Sequence, residues 1–271
     1  MFKKIMFVIS SLLVVMLAAC GENDNISNDV NTHIYFAIDE SFSEEGWRNF
    51  VLLEIDENDV IINLEFDGVN SSANSTRRSL TPENMVNINF EEEISIVEDL
   101  FIGDSVEELI NALDDNLNVN DNIEIDMTSF VELTKTALES SPVESGPYID
   151  GLYHVSSEES DDYGLVDFVN FIVKNGNIIA IHWNAISEDG TLRYDPFLIS
   201  PTTEEAENQT WQQQANRVEQ FLLEIQDPME VTFDEYNMIE GVFGIDIEAA
   251  TFISLVVSAL AEGPITITPY E

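Results

Sequence analysis

Basic residues are scarce in this chain: Lys and Arg number 9 against 53 Asp and Glu, for a formal net charge of −44. No basic stripe exists to meet phosphates, so a nucleic-acid partner is excluded, and electrostatic docking on an anionic lipid surface is disfavoured. Cysteine is almost absent. A single Cys excludes an intrachain disulfide and a cysteine-based zinc site. Glycine and proline, at 12 and 8 residues, are too few for a low-complexity chain, and a hydrophobic fraction of 44% is too high for a disordered one. The 271 residues are enough for one large or two small domains. No Gly-x-Ser-x-Gly, His-Glu-x-x-His or Gly-rich phosphate loop occurs, so no catalytic residue is assigned and an enzyme is not expected.

What is present begins at the N-terminus. Lys3 and Lys4 precede an apolar run from Ile5 to Leu17, which is short for a membrane span and fits a signal peptide. The run ends in Leu17-Ala18-Ala19-Cys20, which resembles the lipobox of bacterial lipoproteins. The resemblance implies a signal peptide over 1–19 and lipidation of Cys20, the sole cysteine. It also implies attachment to the outer face of the cell membrane through that lipid. Residues 20–32, polar and rich in Asn and Asp, read as the lipid-anchored tether. The acidity reads first as adaptation of an exposed surface to salty or alkaline surroundings and second as a means of holding cations.

The body of the chain repeats itself. Gly46, Phe50 and Val51 recur as Gly164, Phe168 and Val169, and Ile62-Asn-Leu64-Glu-Phe66 recurs as Ile179-Ala-Ile181-His-Trp183. Further on, Ile125-Asp126 with Phe130, Leu133 and Ala137 recurs as Ile245-Asp246 with Phe252, Leu255 and Ala259. Two copies are therefore expected, 33–140 and 150–264, joined by a linker at 141–149 and followed by a tail at 265–271. Each begins with a half-buried antiparallel hairpin. Its returning strand places Ile62, Leu64 and Phe66, or Ile179, Ile181 and Trp183, on the buried face. Asn175-Gly176 is a favoured hairpin turn because both positions tolerate positive φ. Helical spacing follows in Val106/Leu109/Ile110/Leu113 and in Trp211/Ala215/Val218/Leu222, and each copy closes with an amphipathic helix. The fold class is α+β, two tandem repeats with helices covering one face of each sheet.

Asp150-Gly-Leu-Tyr153, the acidic-Gly-x-x-x-Phe-Val strand, the Asn175-Gly turn and Trp183-Asn-Ala-Ile-Ser-Glu-Asp-Gly190 resemble the FMN-binding domain family. The chain is similar in particular to extracellular lipoproteins of Gram-positive bacteria that carry such domains in tandem and pass electrons outside the cell. That resemblance implies a flavin or an extracellular redox partner. In the family the flavin is joined through its phosphate to a threonine in a short signature before the closing helix. Here the acceptor position holds Asp126 in copy one and Asp246 in copy two, and only copy two keeps the signature glycine, Gly244. A carboxylate cannot form the phosphoester and repels the incoming phosphate, so covalent FMN is not expected in either copy. Thr128 and Thr251 lie off the signature.

Non-covalent FMN is the most the residues allow, with its phosphate at Gly241 and Gly244 and its ring against Trp183; core packing is the alternative for this tryptophan. The competing reading is a flavin-free binding or scaffold module at the cell surface, with cations as a candidate ligand. His33, His154 and His182 lack partners at metal-ligand spacing and are expected to be solvated or capping. No metal site is assigned. The run Asp114–Asp121 has alternating oxygen ligands but lacks the glycine and terminal carboxylate of a calcium loop, and reads as a solvated acidic loop.

Overall fold

The structure, a computed structural model, describes residues 32–79, 90–114, 123–194 and 210–265. The signal peptide, Cys20, the tether up to residue 31, most of the Asp114–Asp121 run and nearly all of the tail lie outside the described residues. The fold is a mixed α+β fold. Strands β1 (Thr32–Ile38), β2 (Trp47–Asp56) and β3 (Ile61–Asn70) form one antiparallel meander. Strands β4 (Gly151–Ser156), β5 (Leu165–Lys174) and β6 (Asn177–Ser187) form another. Helices α1 (Phe90–Asp99), α2 (Val106–Asp114) and α3 (Thr128–Glu139) accompany the first sheet, and α4 (Trp211–Ile225) and α5 (Ala250–Glu262) the second. None of the described helices is long and apolar enough to cross a membrane.

Alternation in β2 and β5 divides the core. Val51, Leu53 and Ile55 point to the helices, where they meet Ile94, Leu109 and Phe130; Val169, Phe171 and Val173 do the same against Val218, Leu222 and Phe252. The opposite faces were expected to be polar and solvated. Instead they pack on each other: Phe50 and Val69 of the first sheet share a buried cluster with Leu152, Ile172 and Ala180 of the second. The helices are thus outside and the two sheets inside, face to face. Asn170 Nδ2 donates to the Ser72 carbonyl at 3.1 Å, and Lys174 pairs with Glu65, both across this junction.

The strands differ from the expected alternation in one respect. Between Glu54 and Ile55 the β2–β3 register skips Ile62, and between Ile172 and Val173 the β5–β6 register skips Ile179. Each is a one-residue bulge, which turns the following side chains over. Ile61 is consequently buried while Ile62 is 40% exposed. In the second sheet Ile178 joins the helix-side core, and Ile179 turns to the sheet–sheet side.

The stretch 141–149 is pinned at both ends of its course. Val143 N donates to the Ile34 carbonyl, and Gly146 N to that of Asn175 in the β5–β6 turn. A Cβ on Gly146 would fall 2.1 Å from the Gly176 carbonyl oxygen, so no side chain is tolerated there.

Because the Phe50 cluster belongs to both sheets, the halves are expected to unfold together. Phe50→Ala should cost about 3–5 kcal/mol. Urea transitions followed by tryptophan fluorescence and by far-UV circular dichroism should coincide in both proteins. Separate transitions would show that the sheet–sheet contact does not couple the halves.

Candidate functional site

Strands β3 and β6 lie at the edges of their sheets, where outward N–H groups need an acceptor. In both sheets a helix glutamate provides it. Phe66 N donates to Glu98 Oε1 of α1 at 2.6 Å, and Trp183 N to Glu219 Oε1 of α4 at 2.6 Å. The surroundings of the two carboxyls differ. Arg78 pairs with Glu98 and donates from Nε to the Phe66 carbonyl. Tyr194 takes that place beside β6, its hydroxyl donating to the Trp183 carbonyl at 2.9 Å and bringing no charge.

Glu219 is therefore a buried acid without a Lys or Arg partner among the described residues. Burial pushes its pKa up to about 8, against the opposing hydrogen bond from Trp183. His182 Nδ1 lies 4.0 Å from Glu219 Oε1, and burial pushes the imidazole down to about 4. At neutral pH the arrangement is a protonated carboxyl beside a neutral imidazole. The ring of Tyr194 stands edge-on to His182 at 5.7 Å, and the Phe168 ring lies tilted to it at 6.3 Å. His182, expected to be solvated, is only 4% exposed because the second sheet is covered on both faces.

A cleft of about 370 Å³ opens against this group, within the size range of small-molecule sites. The β1–β2 loop with Arg48 and Ser71 forms one wall, and His182, Tyr194 and Glu219 stand on the other. The Arg48 guanidinium lies 5.7 Å from the centroid of the Phe42 ring, and its Nε is buried without a hydrogen-bond partner. Burial pulls its pKa below the ordinary value, partly offset by the charge of Asp39. By contrast Arg193 holds both Asp161 and Asp167. These residues come from separated segments, so no local spacing marked them. The signal available in the sequence was the exchange of Arg78 for Tyr194 between otherwise matching positions.

Of the residues singled out from the sequence, Trp183 meets this group through its backbone, and Asp126, Asp246, Gly241 and Gly244 are not among the residues lining the cleft. Asp126 accepts from the backbone N–H of Thr128 at 2.9 Å and from its hydroxyl at 2.7 Å, which holds its carboxyl below the usual range and ties off the start of α3. Three loop amides ahead of the closing helices are bonded to side chains. Glu93 Oε2 accepts from Glu124 N and Ile125 N, and Gln214 Oε1 accepts from Asp246 N at 2.6 Å. Gly241 and Gly244 have positive φ, 93° and 72°. Trp183 is 2% exposed, with Phe252 stacked at 5.1 Å and Trp211 edge-on at 4.7 Å. Its indole N–H donates to Asp167 at 3.1 Å. This ring is part of the core and offers no face for a flavin. His154 meets Asn170 at 2.7 Å, and His33 is exposed. Among the described residues no group of three or more His, Cys, Asp or Glu is arranged to hold a metal ion.

No family model matches the chain, and no curated protein matches it. A solution NMR structure of a protein from Clostridium thermocellum, determined by a structural genomics consortium, aligns with 28% identity and a TM-score of 0.34. The alignment spans 45% of this chain and 98% of that one.

The buried pair sets a pH dependence. Glu219, raised above its unfolded value, contributes stability that is complete below about 4.5 and lost as pH rises towards 8. His182, lowered, contributes stability present above 6.5 and lost as pH falls towards 4. Glu219→Gln keeps the acceptor for Trp183 N and removes the ionisation. The stability of this variant relative to the parent should grow between pH 5 and 9, by at least ~2 kcal/mol. Thermal unfolding across that range measures the difference, and a difference independent of pH would refute the assignment.

Proposed function

We propose that this chain is a lipid-anchored protein of the outer cell surface, built from two FMN-binding-domain-like units that no longer carry flavin. It acts as a binding module and not as an enzyme. Duplication is supported by features that recur at matching positions: the bulges at Ile62 and Ile179, the edge-strand glutamates Glu98 and Glu219, and the arginines Arg77 and Arg193. Each of these arginines donates its backbone N–H to the strand before it, at Gly68 or Ala185. Anchoring rests on the signal peptide at 1–19 and Cys20.

The observation that carries the flavin-free reading is the occupation of the loop before each closing helix. A phosphate at a helix N-terminus is held by free backbone N–H groups. Here Glu93 accepts from Glu124 N and Ile125 N and Gln214 from Asp246 N, three loop amides beside the attachment positions, and Glu93 adds a carboxylate there. With Asp126 and Asp246 in the acceptor positions and Trp183 closed into the core, attachment and ring stacking each lack a partner. The ligand of the module is then sought in the cleft beside Glu219.

The test is co-expression of the full chain with a flavin transferase and excess FMN, followed by visible absorbance and intact mass. A colourless protein without a flavin adduct is expected. A mass increase of one or two flavins would overturn the reading and restore an electron-carrying role. A yellow protein without the adduct would show that non-covalent FMN binding persists.

A further inference from the structure

We propose that the cleft between the two halves binds a small zwitterion of the amino-acid class, with its carboxylate on Arg48 and its ammonium group on Glu219. The proposal rests on the flavin-free binding-module reading and names the ligand of that module. Its starting point is the difference between two equivalent places. In the first half Arg78 brings a guanidinium to the glutamate that caps the edge strand. In the second half Tyr194 brings a neutral hydroxyl, and the cleft opens there. Glu219 Oε1 accepts from Trp183 N, while Oε2 has no hydrogen-bond partner among the described residues. The Glu219 side chain is 8% exposed, so this unpartnered oxygen belongs to a built interior position and not to a surface cluster. A ligand ammonium seated there does for Glu219 what Arg78 does for Glu98.

The opposite charge is available across the cleft. Arg48 makes no ion pair among the described residues, in a chain with 53 acidic side chains. Its guanidinium lies over the Phe42 ring, 5.7 Å from the centroid. The fork of such a guanidinium matches a carboxylate in bidentate fashion. Glu40 and Glu44 also line the cleft and penalise ligands that carry only negative charge. Phosphates and dicarboxylates are thereby disfavoured, and Arg48 is the group that sets a zwitterion apart from a simple cation. His182 stands beside Glu219 as a neutral side chain able to take one further hydrogen bond.

Seating an ammonium against Glu219 also stabilises its ionised form. Binding at pH 7 must then release a proton from this carboxyl to the buffer.

The test is isothermal titration of the full chain in mild detergent at pH 7, in phosphate and in Tris, whose ionisation heats differ. The probes are glycine, L-alanine, L-leucine and L-phenylalanine, with propionate and propylammonium as single-charge controls and FMN as a separate arm. At least one amino acid should bind, with a buffer-dependent heat that reports proton release. Arg48→Gln should weaken that binding about 10- to 100-fold, and Arg48→Lys less. Glu219→Gln should remove the buffer dependence, with circular dichroism verifying that each variant is folded. Absence of binding by all four amino acids overturns the proposal. So does equal binding of propionate or propylammonium, or affinity unchanged in Arg48→Gln. Uptake of FMN in its own arm would instead overturn the flavin-free reading. Failure of the amino acids together with no FMN uptake leaves that reading standing and removes only the ligand assignment.

Discussion

The contact on which the arrangement depends is the hydrogen bond from an edge-strand N–H to a glutamate on a covering helix. An exposed sheet edge offers a row of unpaired donors and invites pairing with another chain. Glu98 and Glu219 each close one of these donors from within the same molecule. The bond also fixes where α1 and α4 sit along their strands, since a carboxylate must reach one backbone N–H and no other. Helix position then sets which apolar residues meet: Ile94 and Val97 in one core, Val218 and Leu222 in the other. Burying a carboxyl for this purpose is costly unless its charge is matched or lost. The two halves meet that cost differently. Arg78 neutralises Glu98 by pairing, and Glu219 remains protonated near neutral pH.

That difference gives the molecule its one-sided chemistry. A guanidinium at the Tyr194 position would fill the space beside Glu219. The tyrosine instead lies against His182 and Trp211, with its ring 5.7 Å and 5.6 Å from theirs. The first half contributes to the resulting cleft through Arg48 of β2, Ser71 and the β1–β2 loop at Glu40–Gly46, none of which has a part in either helix-side core. The site therefore needs both halves. Neither sheet with its own helices would enclose it.

Much of the local structure was legible in the sequence because it follows from period and turn chemistry. The strands β2 and β5, the inward alternation of Leu64 with Phe66 and of Ile181 with Trp183, the spacing of α2, α4 and α5, and the Asn175-Gly176 turn, with φ of 49° and 70°, all appear as read. Strands β1 and β4 were not distinguished. Their residues are largely half-exposed, so no strict alternation marks them. The bulges were invisible because one extra residue leaves composition unchanged while turning Ile62 outward and Ile179 to the other face. His182 was misjudged for a related reason. Alternation reveals that a side chain points away from the helices, but not that a second sheet lies there. The cleft was out of reach because its walls come from segments that no periodicity connects.

The same structure bears on how a flavin site of the proposed ancestry could be lost. Replacing a threonine by Asp126 or Asp246 would by itself leave the neighbouring amides free and exposed to the next ligand. They are not free: Glu93 satisfies two of them in one half and Gln214 one in the other. In the first half, moreover, Asp126 has become part of the helix start through Thr128. Restoring a threonine alone would remove that tie without vacating the amides. On the proposed reading, each loop has been rebuilt around intramolecular acceptors in place of a phosphate. The proposed binding capacity then lies at the junction of the halves, where Glu219 and Arg48, neither in a salt bridge with an oppositely charged Lys, Arg, Asp or Glu among the described residues, line the same cleft.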